Sequence, residues 1–183
     1  MKFIKNAVLI ILSAIVTVSL PLNAAEDLSS VNYLLDSGDT IRISIFGEDD
    51  MLLETKLDES GLITYPYFDD PITVKGLSVK QLENYLVKGL VPDVFINPSI
   101  QITVVEYRPF FINGEVNDAG GYPYQPGLNV SKAITLAGGM TERASESNIF
   151  IIRANDPDQQ RIKVSLSDKI SPGDIVTVEE SFF

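Results

Sequence analysis

Ser37-Gly38-Asp39-Thr40-Ile41-Arg42-Ile43-Ser44-Ile45-Phe46 is the stretch on which the fold turns. Ser-Gly-Asp is turn chemistry, because glycine tolerates a left-handed backbone and the short acid can bond nearby main-chain groups. Ile41, Ile43 and Ile45 then alternate with Arg42 and Ser44, a period of two that predicts a half-buried strand. Working outward, Ser60-Gly61 predicts a turn before the run 62–67. Ser78 with Gln81 three residues on forms a capping box, and Val79, Leu82, Leu86 and Leu90 share one face of a helix over 78–90. Pro98 closes the next loop before Ile100, Ile102 and Val104 alternate again. A strand, a helix and a returning strand predict a compact α+β unit over residues 33–107, preceded by a polar lead-in at 25–32.

Arg108-Pro109 marks the boundary of a second unit, 108–183. A strand over 110–116 is interrupted by Asn113-Gly114, which predicts a bulge or a close backbone approach at Gly114 rather than a two-residue hairpin. Asn129 caps a short helix over 130–137, and Gly138-Gly139 stops it. Residues 149–153 and 161–164 read as strands joined by Asp156-Pro157-Asp158. Ser171-Pro172-Gly173-Asp174 then launches a last strand at 175–178 and echoes Ser37-Gly38-Asp39. Gly-Asp opens many strands, so the echo alone carries little.

The N-terminus has the layout of a secretory signal. Lys2 and Lys5 precede an apolar run at 7–20, Pro21 breaks it, and Leu22-Asn23-Ala24 supplies small residues for cleavage after Ala24 or Ala25. The run of 14 residues carries Ser13, Thr17 and Ser19, against about 20 apolar residues for a spanning helix. Residues 1–24 are therefore expected to be a cleaved leader. The whole chain has 14 basic and 25 acidic residues. Loss of the two leader lysines takes the net charge from −11 to −13. Such a chain offers no basic face to nucleic acid.

With no histidine and no cysteine, imidazole triads, thiol nucleophiles, disulfides and the usual zinc sites are excluded. Carboxylate chemistry stays open. Glu48-Asp49-Asp50, Asp69-Asp70 and Asp156 with Asp158 could be acid/base pairs or calcium ligands, but all three sets fall where turns are expected. Tyr65, Tyr67 and Phe68, and likewise Tyr122 and Tyr124, read first as core packing and second as a binding pocket.

Taken in order, these landmarks resemble the outer-membrane polysaccharide export family. The first unit is similar to its polysaccharide-export domain through Tyr33-Leu34-Leu35-Asp36-Ser37-Gly38-Asp39-Thr40-Ile41, Asp58-Glu59-Ser60-Gly61-Leu62-Ile63 with Pro66, and Val74-Lys75-Gly76-Leu77-Ser78. The second is similar to a soluble-ligand-binding β-grasp (SLBB) domain through Asn113-Gly114-Glu115-Val116, Leu136-Ala137-Gly138-Gly139-Met140-Thr141, and Pro172-Gly173-Asp174-Ile175. Ala119-Gly120 stands where the family has Pro-Gly, and the lipidation cysteine of many members is missing. The sequence reaches Phe183 only five residues after the last expected strand, too short for the membrane helix of longer members.

The resemblance implies an α+β chain whose export domain precedes one β-grasp domain. It implies a periplasmic component of a capsule or exopolysaccharide export channel, held at the outer membrane through partners. Those partners would be the polysaccharide, an inner-membrane copolymerase, a separate outer-membrane β-barrel protein and further copies in a ring. It implies no catalysis, metal or cofactor. Rival readings are a periplasmic small-ligand or glycan binder, a carboxylate glycosidase and, least supported, an outer-membrane barrel.

Overall fold

The structure, a computed structural model, describes residues 33–181; the expected leader, with Ala24 and Ala25, lies outside them. Among the described residues, three sheets and two helices form, giving the α+β class. In the first half, β1 (Thr40–Ile45) runs between β2 (Glu48–Lys56) and β5 (Ile100–Glu106), antiparallel to both. A two-stranded ladder joins β3 (Leu62–Ile63) to β4 (Ile72–Thr73). Ile41, Ile43 and Ile45 point into the core, as their period of two requires, and meet Leu82, Leu86 and Leu90 of helix α1 (Val79–Leu90). Full burial of each leucine contributes about 1.5–3 kcal/mol. The capping box is complete: Ser78 Oγ accepts from Gln81 N–H, and Gln81 Oε1 accepts from Ser78 N–H at 2.8 Å.

In the second half, β6 (Phe110–Gly114), β7 (Gly120–Tyr122), β8 (Ala144–Ile152), β9 (Arg161–Val164) and β10 (Ile175–Glu180) form one mixed sheet in the order β7-β6-β10-β8-β9. The last strand enters the middle of the sheet, parallel to β6 and antiparallel to β8. Helix α2 (Val130–Leu136) lays Val130, Ala133 and Ile134 on a core of Phe110, Ile112, Ile149, Ile151, Val176 and Val178. Asn129 caps it by accepting from Lys132 N–H at 2.9 Å. The two cores are separate clusters, and Arg108 stands between them.

Several expectations need correction. Glu48-Asp49-Asp50 begins β2 and is not a turn. The turn is Phe46-Gly47, and these three acids are tolerated because β2 is an edge strand whose first residues stay exposed. The run 62–67 yields only the two residues of β3, because the chain turns at Pro66, which has no N–H for a ladder. The run 110–116 ends as a strand at Gly114, and its antiparallel partner is β7, six residues farther on. Gly114 makes the close approach expected of it: a Cβ there would be driven into the carbonyl oxygen of Val178 on β10.

Candidate functional site

The two Gly-Asp turns are copies of one device. Asp39 N–H donates to Asp36 O at 3.2 Å, and Asp174 N–H donates to Ser171 O at 3.2 Å. Gly38 and Gly173 hold φ of 92° and 84° at equivalent places. Gly38 N–H donates to Leu57 O while Asp39 O accepts from Leu57 N–H; Gly173 N–H donates to Pro109 O while Asp174 O accepts from Phe111 N–H. Both carboxylates are buried. Asp39 Oδ2 accepts Asp36 N–H at 2.9 Å, and Asp174 Oδ2 accepts Ser171 N–H at 2.8 Å. Asp39 Oδ1 accepts Arg108 N–H at 2.9 Å, and Asp174 Oδ1 accepts Ala154 N–H at 3.0 Å. Each acid also meets an arginine at the end of a strand segment, Arg108 at 3.4 Å and Arg153 at 2.7 Å. The repeated Gly-Asp echo is therefore a repeated structure.

Arg108 joins the two copies. Its guanidinium serves the first turn, donating to Asp39 and to Tyr33 Oη at 3.0 Å, with Asp36 Oδ2 at 3.8 Å. Its stem crosses the second turn, so a Cβ on Gly173 would lie 2.7 Å from Arg108 Nε and 2.9 Å from Ala154 Cβ. Glycine is required there twice over, by its φ and by the arginine. An aromatic ladder runs alongside. Tyr33 meets Tyr107 edge-on at 5.0 Å, and Tyr107 meets Tyr124 edge-on at 5.4 Å, linking the halves a second time.

The electrostatics follow from this packing. Burial pushes the Tyr33 phenol up, and its hydrogen bond to the Asp39 carboxylate pushes it further, so it remains a donor. Burial also acts to raise the Asp36 carboxyl, but Lys75 at 2.8 Å, the Ser37 N–H and the charge of Arg108 outweigh it and hold the group below its usual range.

Beside the junction, Tyr33 and Tyr107 open into a groove of about 400 Å³ between β5 and the first turns of α1, with Ile102 and Val79 on its walls and Lys80, Glu83 and Thr103 supplying polar groups. It is an apolar groove with a few polar rim groups, the composition of a ligand cleft.

The remaining expected positions are spread over both halves. Gly61 packs on Lys75, Gly76 faces open space, and Gly138 packs on Asn117 and Asp118. Gly138 and Gly139 follow α2 with positive φ. Glu115 accepts Thr141 Oγ1–H at 2.6 Å. Pro66 occupies the turn Tyr65 to Phe68. Of the carboxylate sets, Glu48, Asp49 and Asp50 line an exposed strand start, Asp69 and Asp70 are exposed, and Asp156 caps its own turn by accepting from Asp158 and Gln160 N–H. Among the described residues, no group of three or more acids could hold a metal ion.

Residues 28–105 match the polysaccharide biosynthesis/export protein family, and residues 109–164 match the SLBB domain. The chain is also similar to the exopolysaccharide production protein ExoF of Rhizobium meliloti (strain 1021), 46% identical over 53 residues. That stretch is 29% of this chain and 12% of that protein, so the chain spans only a small part of this relative's length. The two domain matches, in order, fall on either side of Arg108, the first over the first core and the second over most of the second core. The chain belongs to the polysaccharide export family, as an export domain followed by an SLBB domain.

Proposed function

We propose that this chain is a periplasmic section of an export channel for capsule or exopolysaccharide. Copies of it form a ring that continues an inner-membrane copolymerase toward a separate outer-membrane β-barrel protein. Its work is docking and conduction, with no bond made or broken in the polymer. The observation that carries the reading is the ordered pair of domain matches. The Arg108 junction supports it, because a conduit built of stacked domains needs a fixed angle between them. In-cell photo-crosslinking from exposed positions on each half tests the partners. The expected result is capture of the copolymerase, a β-barrel protein and neighbouring copies; capture of none of these refutes the reading.

A second reading, a periplasmic small-ligand or glycan binder, is favoured by the groove at Tyr33 and Tyr107. It predicts saturable binding of a soluble sugar by the isolated chain, with cell-surface polymer unaffected by its loss.

A further inference from the structure

The turn from Tyr65 to Phe68 carries a side chain that its backbone disfavours. Phe68 N–H donates to Tyr65 O at 3.2 Å, Pro66 takes the second position, and Tyr67 takes the third with φ of 65°. That third position ordinarily belongs to glycine, because a bulky L-residue is strained in the left-handed region. Glycine would make the same turn unstrained. Tyr67 does not recover the strain through packing, since 69% of it is exposed. An observed outlier of this kind is grounds for asking what the side chain does outside the fold.

Its neighbours answer in chemical terms. Phe68 is anchored against α1, where a Cβ on Gly89 would collide with its ring. Tyr85 of α1 stacks on Phe68 at 5.9 Å with 21° between planes, and is itself 49% exposed. Two tyrosines thus flank one anchored phenylalanine, one preceding it in the chain and one stacked on it. Asp69 and Asp70 follow at once, both exposed and neither ion-paired among the described residues. Ionised carboxylates are acceptors only. Flat aromatic faces suit the C–H faces of pyranose rings, and acceptors suit vicinal hydroxyls. An anionic sugar would be repelled by the same two acids.

We propose that Tyr67 and Tyr85, with Asp69 and Asp70, form a contact site for a neutral, hydroxyl-rich stretch of the exported polysaccharide. The site rests on the polysaccharide reading above and adds to it a place and a sugar class. It offers one short contact, so binding is weak per site and the polymer can move on.

The test is an NMR titration of the full mature chain with cellohexaose as neutral probe and hexagalacturonate as anionic probe, set against Tyr67→Gly and Tyr85→Ala. The expected result is saturable binding of cellohexaose with shifts at residues 67–70 and 85, and no binding of hexagalacturonate. Tyr67→Gly should weaken binding at least tenfold while leaving the melting temperature unchanged or raised. Tyr85→Ala, which changes no residue of the turn but removes the ring stacked on Phe68, should weaken it similarly. Cellohexaose binding that is absent in the wild type, or equal in wild type and both variants, overturns the site. Preference for hexagalacturonate overturns the sugar class. The export reading fails on a different result, surface polymer that persists in cells lacking the chain.

Discussion

Replacing Arg108 by alanine removes a guanidinium whose side chain is only 10% exposed from a carboxylate that is fully buried. Stripping one partner from a buried ion pair costs about 3–5 kcal/mol, because the other charge stays behind without compensation. Asp39 would keep three donors, Tyr33 Oη–H, Asp36 N–H and the backbone N–H at 108, which places the electrostatic loss near the lower end of that range. Loss of the stem beyond Cβ, which lies over Gly173, adds about 1 kcal/mol. The expected destabilisation is therefore about 4 kcal/mol, or about 8–16 °C in melting temperature for a chain of this length. Urea unfolding followed by circular dichroism measures it. Because Arg108 also couples the two turns, a single wild-type transition should split into two in Arg108→Ala. Arg108→Lys keeps a charge but not the fork, and should fall between the two. A loss below about 1 kcal/mol, with one unaltered transition, would refute the idea that this arginine bolts the halves together.

Other outcomes follow from the same contacts. Burial pushes the Tyr65 phenol from 10.0 up to about 12. Its contribution should be complete below pH 10, where the phenol is protonated in both states, and should be lost as pH rises through about 12. Tyr65→Phe should flatten that alkaline loss and, by deleting the hydrogen bond to Met51 O, cost about 1 kcal/mol at neutral pH in denaturant titrations. Asp36, held below 3.8, should stabilise fully above that pH and lose its contribution as pH falls through the lowered value. In acid titrations Lys75→Ala should move this loss to higher pH, while costing less than about 1 kcal/mol at pH 7 because the pair is half-exposed. Ser78→Ala should cost about 1 kcal/mol and Leu86→Ala about 2–5 kcal/mol in urea, the first through the cap and the second through a core cavity. Gly114→Ala should be among the most disruptive changes in the second half, visible as lost cooperativity on heating, since backbone and not a movable side chain blocks the Cβ.

What was legible in the sequence was what local chemistry decides. Ser78 and Gln81 lie three residues apart, and the helix they cap formed where their spacing placed it. The same holds for Asn129 ahead of α2 and for the alternation of Ile41, Ile43 and Ile45. Gly114 was legible as a close approach, though not the strand it approaches. The junction was hidden because its partners are remote: Arg108 lies 69 residues from Asp39, and Arg108-Pro109 read only as a boundary. The one available clue was the echo of Ser37-Gly38-Asp39 in Ser171-Pro172-Gly173-Asp174, which gains weight only when each acid is seen to hold an arginine. The edge strand β2 was missed because three consecutive acids look like a turn until their strand is known to be an edge. Of the aromatic clusters, Tyr65 proved to be core, with Phe68 half-buried on its flank, whereas Tyr67 faces solvent. Spacing cannot distinguish these outcomes, since a turn at Pro66 decides which ring points where.

Whether this chain moves a finished polysaccharide outward is decided by where the polymer accumulates when the chain is removed. Cells lacking the gene, and the same cells complemented with it, would be fractionated and their polymer quantified at the surface and inside the envelope. The expected result is loss of surface polymer with full-length polymer still made and retained within, and complementation should return it to the surface. Surface polymer at the wild-type level in the deleted cells, or absence of polymer from every compartment, would contradict it.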